Sequence, residues 1–122
     1  MTPQANSILD LFRSRGAYLQ GHFRLTSGLH SAEYLQSALV LQHPADAERL
    51  GALLAVSLRE LAGADPQVVV SPALGGLIIG HEVARALGAR FIFTERDPST
   101  AKMTLRRGFQ VTPGEKAVVV ED

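Results

Sequence analysis

The chain has 122 residues, with 12 basic and 12 acidic side chains, so its formal net charge is zero. This length suits one domain, and a neutral chain argues against a general nucleic-acid-binding surface. The absence of cysteine excludes disulfides and thiolate metal sites. No apolar run approaches the ~18–20 residues needed to span a bilayer, and the N-terminus lacks the pattern of a signal peptide. We therefore expect a cytoplasmic protein with no nucleic-acid or membrane partner.

The first third of the chain predicts one helix followed by two extended segments. Ser7–Arg15 is expected to be a helix, because Ser7 can cap it and apolar residues follow at helical spacing. Gly21–Leu25 and Ser31–Ala38 alternate loosely and are expected to be strands. The intervening segment 25–28 (LTSG) is expected to be a turn.

The central stretch of the chain predicts a helix, a strand, a glycine turn and a second helix. Pro44 suits the first position of a helix that runs to about Leu61. Val68–Val70 is typical of a buried parallel strand, and we expect Pro72 to end it because proline donates no N–H. Gly75 and Gly76 come next and are expected to form the turn into a helix, which Gly88 should cap at its C-terminus. Such a unit aims N–H groups at an anion, although an ordinary strand–helix turn has the same pattern.

The last third of the chain predicts three further segments of extended structure and ends in two acids. The three extended segments are a strand at Arg90–Thr94, a strand or hairpin arm at Lys102–Phe109 and a buried parallel strand at Ala117–Val120. A polar loop at Glu95–Ala101 separates the first two, and a turn at Thr112–Glu115 precedes the last. Strand and helix alternate, which predicts a doubly wound sheet with ligands at the carboxyl ends of its strands. Glu121 and Asp122 should therefore lie at that edge, near Ser71–Gly76.

We interpret residues 1–122 as a single, incomplete domain of a longer protein. A complete domain would continue from the last strand into a loop and a covering helix. Residues 1–42 would form an N-terminal helix and substrate-side element, and residues 43–122 the core sheet and helices. On its own the chain is expected to be inactive and marginally folded, because an uncovered parallel strand leaves apolar surface in water.

Four segments in this order resemble the type I phosphoribosyltransferases, and among them the branch that uses orotate. Ala117–Asp122 (AVVVED) is similar to the start of the family signature for phosphoribosyl pyrophosphate (PRPP), and Val68–Gly76 (VVVSPALGG) to its pyrophosphate loop. Gly21–Gln36 (GHFRLTSGLHSAEYLQ) resembles the amino-terminal element of the orotate branch. Lys102–Phe109 (KMTLRRGF) is similar to the basic arm of a flexible loop. The family carries a lysine in many members where Gly75 stands.

The resemblance implies an α/β fold, a parallel sheet flanked by helices with an N-terminal hood element, cut short after the strand that leads to the PRPP loop. It implies phosphoribosyl transfer from PRPP to orotate, giving orotidine 5′-monophosphate and pyrophosphate. It also implies Mg²⁺ as cofactor, held through substrate and water near Glu121 and Asp122 with no direct protein ligand. The expected assembly is a homodimer that shares the flexible loop between subunits.

The resemblance also implies roles for individual residues. Lys102 and Arg106 would act on the reacting groups, and Glu121, Asp122, Arg96 and Arg107 would bind PRPP and its ribose. The pyrophosphate loop would comprise Ser71, Ala73, Leu74, Gly75 and Gly76, and the orotate side would comprise Thr26, Ser27, Tyr34 and Leu35.

Simpler interpretations stand beside these. The basic cluster could be a solvated face, the acidic pair a solvated strand end, and Tyr34 a core aromatic. A purine-base phosphoribosyltransferase or a non-catalytic nucleotide-sensing regulator on the same fold are the alternative functions. The four histidines show no metal-ligand spacing. The polar, proline-interrupted segment from Glu95 to Arg107 is expected to be mobile without ligand.

Overall fold

The computed structural model describes residues 2–122, which divide into two compact units, one ending at His43 and one comprising Pro44–Asp122. Within residues 2–122, no helix is both long and apolar enough to cross a membrane. In chain order the elements are α1 (Pro3–Ser14), β1 (Tyr18–Arg24), β2 (His30–Leu35), α2 (Ser37–Leu41), α3 (Pro44–Ala62), β3 (Val68–Pro72), α4 (Leu77–Leu87), β4 (Arg90–Arg96), β5 (Met103–Leu105) and β6 (Ala117–Val119).

Helix α1 begins four residues earlier than the sequence predicted. The hydroxyl of Thr2, not that of Ser7, caps it by accepting a hydrogen bond from the Ala5 N–H at 3.1 Å. Pro3 occupies the start of the helix, where its missing N–H costs nothing because that group has no partner inside a helix. The prediction of the start at Ser7 was therefore wrong.

The first unit carries an antiparallel hairpin of β1 and β2. The predicted turn is confirmed, since the Gly28 N–H donates to the Leu25 carbonyl at 2.8 Å and Gly28 has a φ of +87°. The strands themselves are shifted towards the N-terminus, so β1 starts at Tyr18. Ala38, predicted to end the second strand, lies instead in the short helix α2.

The second unit is a four-stranded sheet in the order β5-β4-β3-β6. Strand β3 lies between β4 and β6 and runs parallel to both, whereas β5 is antiparallel to β4. Helices α3 and α4 pack against each other, and α4 packs on β3 and β4. The predicted α/β fold with a parallel sheet and flanking helices is confirmed, and its buried centre includes Val68, Val69, Val83 and Ile92.

Strand β3 continues through Pro72 instead of ending before it. The Val120 N–H donates to the Val70 carbonyl, so residue 70 bonds towards β6, and residue 72 points to the same side. Strand β6 has ended there, so the missing N–H of Pro72 removes no bond from the ladder. On the other side, the Ala73 N–H donates to the Thr94 carbonyl of β4 at 2.8 Å.

Two glycines let α4 lie unusually close to its neighbours. A Cβ built on Gly80 would lie 2.6 Å from Cε1 of Phe91 and would also overlap the Ser71 hydroxyl. A Cβ on Gly51 of α3 would lie 2.7 Å from the backbone carbonyl carbon of Glu82 in α4. Both positions therefore require glycine because of the space available, which fixes α4 between the sheet and α3.

Strand β6 is half exposed, although the sequence predicted a buried strand. Val120 is only 5% exposed, whereas Val119 is 74% exposed and Ala117 is also exposed. A strand alternates its side chains between the two faces of a sheet. Only one face of β6 is covered within residues 2–122, as expected for a parallel strand whose second face no helix covers.

Candidate functional site at the carboxyl edge of the sheet

The acidic pair meets the glycine turn at one edge of the sheet, as the sequence predicted. Strands β3 and β6 are parallel neighbours, so the residues that follow them emerge at the same edge. A Cβ built on Gly75 would lie 2.7 Å from Oδ1 of Asp122. The bare backbone of Gly75 thus leaves room for the Asp122 carboxylate, and Glu121 and Asp122 are both exposed at this edge.

The turn between β3 and α4 presents main chain at this edge. The Gly76 N–H donates to the Pro72 carbonyl at 3.1 Å, the Leu77 N–H donates to the Leu74 carbonyl at 3.2 Å, and the Ala73–Leu74 peptide bond is cis. The Leu74 side chain is 82% exposed, so it does not pack into the core. The positive end of the α4 dipole lies here, where it favours an anion.

Ser71 differs from the other predicted members of the pyrophosphate loop. Its side chain is fully buried, and its hydroxyl has no hydrogen-bond partner among the described residues. It faces Gly80 in the second turn of α4. Only the main chain of Ser71 can therefore contribute to the edge of the sheet in this structure.

The basic segment is a β-hairpin and not a loop over its whole length. Glu95 and Arg96, predicted to start the loop, belong to β4 and pair with Thr104 and Met103 of β5. The tip is closed by backbone hydrogen bonds of 2.8 Å from the Asp97 N–H to the Lys102 carbonyl and from the Ala101 N–H to the Asp97 carbonyl. The predicted hairpin arm is confirmed, and its predicted mobility without ligand stays a prediction.

The four predicted basic residues of the hairpin fall into two pairs. Arg107 donates to both carboxylate oxygens of Glu95, at 2.7 and 3.0 Å, and Arg96 donates to the Ala101 carbonyl. Neither Lys102 nor Arg106 makes a side-chain hydrogen bond or ion pair with any residue in 2–122, and both are exposed. The two residues predicted to act on the reacting groups are thus the hairpin cations that make no direct hydrogen bond or ion pair in the described part of the chain.

The carboxylates of the hairpin are held in their charged form. The hydrogen bond from Arg107 lowers the pKa of Glu95 below its ordinary value. Hydrogen bonds from the Ser99 hydroxyl and backbone N–H lower the pKa of Asp97 in the same way. Both groups are therefore ionised at neutral pH, and Glu95 matches the charge of Arg107.

A cavity of about 220 Å³ opens at the base of the hairpin, lined by Glu95, Arg106 and Arg107. Two cations and one anion give it a net positive lining, which suits an anionic group. The sequence analysis did not select Glu95. The signal that could have found it is the hairpin pattern itself, because β5 runs back along β4 and returns the basic residues that follow β5 towards Glu95.

The residues predicted for the orotate side lie on the hairpin of the first unit. Thr26 and Ser27 are exposed in the turn, where the Ser27 hydroxyl accepts the Leu29 N–H at 3.3 Å. Tyr34 is 39% exposed and its ring lies 5.8 Å from that of Phe23, so it is an aromatic at the surface and not a core residue. Leu35 is also exposed.

The same hairpin holds two polar pairs that the sequence analysis missed. Nε2 of His22 lies 2.7 Å from Nδ1 of His30, and the Tyr18 hydroxyl donates to Glu33 at 2.7 Å, which raises the pKa of Tyr18. Register between the two strands would have revealed both. Within residues 2–122, no group of three or more metal-ligating side chains occurs.

Solved structures share this architecture. Orotate phosphoribosyltransferase from Aeropyrum pernix superposes with a TM-score of 0.66 at 23% identity, over 94% of this chain and 64% of that one. Adenine phosphoribosyltransferase from Leishmania tarentolae gives a TM-score of 0.62 at 15% identity, over 99% of this chain and 62% of that one. The chain therefore shares the fold of these two phosphoribosyltransferase structures.

Curated proteins with more similar sequences are also found. The chain is 56% identical over 117 residues to orotate phosphoribosyltransferase of Heliobacterium modesticaldum, covering 96% of the chain and 60% of the relative. It is 51% identical over all 122 residues to that of a Methylobacterium species, again covering 60% of the relative. The chain spans about 60% of the length of these curated relatives. No family model matches the chain.

Proposed function

We propose that the protein represented by this chain transfers a phosphoribosyl group from PRPP to orotate, releasing pyrophosphate and forming orotidine 5′-monophosphate for pyrimidine synthesis. The observation that carries the proposal is the meeting of Asp122 with the bare backbone of Gly75 at the carboxyl edge of the sheet. Carboxylates beside an N–H-rich turn suit a ligand that has both hydroxyls and phosphates. The curated relatives named orotate phosphoribosyltransferase support the choice of acceptor.

The pyrophosphate end of the substrate is assigned to the turn Ala73–Gly76. Gly75 and Gly76 place no side chain between a phosphate and the main chain, and α4 adds the positive end of its dipole. Charge grows on the pyrophosphate oxygens as the bond to ribose C1 lengthens, so fixed positive groups stabilise the transition state more than the ground state. The turn supplies such groups without reorganisation.

Lys102 and Arg106 are assigned to the same developing charge. Their side chains make no hydrogen bond or ion pair within residues 2–122, whereas Arg96 and Arg107 donate hydrogen bonds inside the hairpin. A cation in no direct ion pair has none to break before it contacts a phosphate. We assign the PRPP contact to Lys102 and Arg106 first, with Arg96 and Arg107 as secondary candidates.

Glu121 and Asp122 are assigned to the ribose hydroxyls, as hydrogen-bond acceptors or through Mg²⁺-bound water. The donor set fits this metal, since Mg²⁺ typically takes one or two carboxylates and fills its shell with substrate oxygens and water. When bound, Mg²⁺ would neutralise charge on the leaving pyrophosphate.

The orotate side is assigned to Thr26, Ser27, Tyr34 and Leu35, because polar hydroxyls and an exposed aromatic ring suit a flat, anionic pyrimidine. The homodimer with a shared hairpin is proposed on the same resemblance. Lys102 and Arg106 stand on an exposed hairpin, which is where a residue shared between subunits would have to be.

The test is an assay of the intact protein with PRPP, orotate and Mg²⁺, following loss of orotate absorbance and release of pyrophosphate. We expect both in a 1:1 ratio, and no reaction when EDTA removes the metal. Adenine and hypoxanthine replace orotate in parallel reactions. Turnover with a purine and none with orotate would favour the purine enzyme, and tight nucleotide binding without any turnover would favour the regulator.

A further inference from the structure

The turn that follows β5 holds a residue in an unfavourable backbone conformation. The Phe109 N–H donates to the Arg106 carbonyl at 3.1 Å, and the two residues between them, Arg107 and Gly108, have φ values of +59° and +79°. Positive φ at both central positions is the pattern of a type I′ turn. Glycine adopts it freely, but arginine does not, so other contacts must hold Arg107 in place.

Three side chains of the hairpin supply those contacts. Glu95 of β4 accepts both hydrogen bonds of the Arg107 guanidinium, and the guanidinium carbon lies 5.7 Å from the centre of the Phe93 ring. The Phe93 ring in turn meets Phe109 edge-on, with centroids 5.1 Å apart. The turn thus contacts β4 through two of its residues, Arg107 and Phe109.

Arg106 is the residue whose position these contacts determine. It immediately precedes Arg107 and lines the cavity with Glu95 and Arg107. Its charge acts on Glu95 and Asp97, but it makes no side-chain hydrogen bond or ion pair in residues 2–122. Each Glu95 oxygen already accepts one hydrogen bond from Arg107, so Arg106 could pair with Glu95 only by sharing those oxygens. Without Arg107, the Glu95 carboxylate would be free to draw Arg106 away from an incoming anion.

We propose that Glu95 and Arg107 are positioning residues that hold Arg106 ready for the leaving pyrophosphate. This inference rests on the proposed function. It gives Arg107 a structural partner in place of direct contact with PRPP, and it gives Glu95 a role although its charge is the same as that of the substrate. Loss of either member should therefore lower turnover through Arg106 and not independently of it.

A double-mutant cycle on the intact protein tests this dependence. We expect Arg106→Gln to lower kcat about 100-fold, as for the loss of one transition-state donor. We expect Glu95→Gln to lower kcat about tenfold, as for a donor misplaced by less than 1 Å. The double variant should match Arg106→Gln alone, since residues that act as a unit are not additive. Arg107→Lys, which keeps the charge but loses the bidentate geometry, should behave as Glu95→Gln does.

The matched control is the second bidentate pair of the same strand. Arg90 donates to Glu115 at 3.1 and 2.9 Å at the opposite end of β4. Glu115→Gln removes an equivalent ion pair, so its effect should combine independently with that of Arg106→Gln. Isothermal titration with Mg²⁺-pyrophosphate gives a second readout, in which Glu95→Gln weakens binding and loses that effect in the Arg106→Gln background.

The outcomes separate the two proposals. A wild-type protein with neither turnover nor pyrophosphate binding overturns the proposed function, and this inference with it. An active wild type in which the losses of Glu95→Gln and Arg106→Gln multiply to about 1,000-fold overturns the inference alone. An active wild type in which Glu95→Gln and Arg107→Lys keep full turnover does the same.

Discussion

Helix α4 and the β4–β5 hairpin are held in place by different kinds of contact. Helix α4 is fixed by exclusion, since Gly80 and Gly51 stand where the neighbouring elements leave no room for a side chain. The hairpin is fixed by exposed polar contacts such as Glu95 with Arg107, of which Arg107 remains 63% exposed. The first region should therefore respond to substitution through stability, and the second through activity at nearly constant stability.

Gly80→Ala should give the largest stability loss. Its methyl group would overlap the buried Ser71 hydroxyl and the Phe91 ring, and we expect the free energy of unfolding to fall by about 3 kcal/mol, the upper range of overpacking. Gly88→Ala is the control: Gly88 has a φ of +68° but nothing within 4 Å, so only the backbone cost of about 1 kcal/mol applies. Urea denaturation measures both, and an equal loss for the two variants would contradict the packing argument.

Lys102→Gln should show the opposite behaviour. We expect kcat to fall about 100-fold, about 2.7 kcal/mol of transition-state stabilisation, with an unchanged thermal midpoint. Lys116→Gln is the matched control, because Lys116 is a lysine whose amino group donates to the Ala62 carbonyl at the end of α3 at 3.1 Å. It should lower the midpoint and leave kcat intact. Parallel loss of stability and turnover in Lys102→Gln would remove it from the site.

The sequence predicts well those features that depend on pattern and topology. Val68–Val70 and the helix from Pro44 follow from apolar spacing. The approach of Asp122 to Gly75 follows because parallel neighbours end at the same edge. Pairing that depends on the exact register, such as Glu95 with Arg107, was not predicted, because it arises only when two consecutive residues adopt positive φ.

The burial of a single polar side chain could not be predicted from the sequence either. Ser71 was predicted to belong to the pyrophosphate loop, yet β3 continues through it and its side chain is buried against α4. The start of α1 was missed for a similar reason, since Thr2 and Ser7 are both acceptable caps and only the structure distinguishes them. Local choices between equivalent residues are decided by packing elsewhere.

Ser71→Ala should have only a small effect on stability, and, unlike most substitutions in the packed region, it should not be destabilising. Its hydroxyl is buried without a partner in the described residues, so removing it should leave stability unchanged or raise it by up to about 1 kcal/mol. Val69→Ala, at a neighbouring position that is also fully buried, should lose about 2 kcal/mol through lost apolar contact and a cavity. A loss in Ser71→Ala as large as that in Val69→Ala would reveal an interaction of the hydroxyl.

The smallest effect is expected from acid at the polar contacts. Arg90 lowers the pKa of Glu115 from its ordinary value of 4.5, and Arg107 does the same for Glu95. A carboxyl whose pKa is lower in the folded state stabilises the protein above the unfolded pKa and loses that contribution as pH falls through the folded pKa. The stability difference between wild type and Glu115→Gln should therefore be constant well above the ordinary pKa of 4.5 and shrink as the pH falls below that value. Urea midpoints at pH 7, 5, 4 and 3 would measure it. A difference that stays constant down to pH 3 would mean that the ion pair with Arg90 contributes nothing to stability, and that this contact, unlike the packing around Gly80, sets geometry alone.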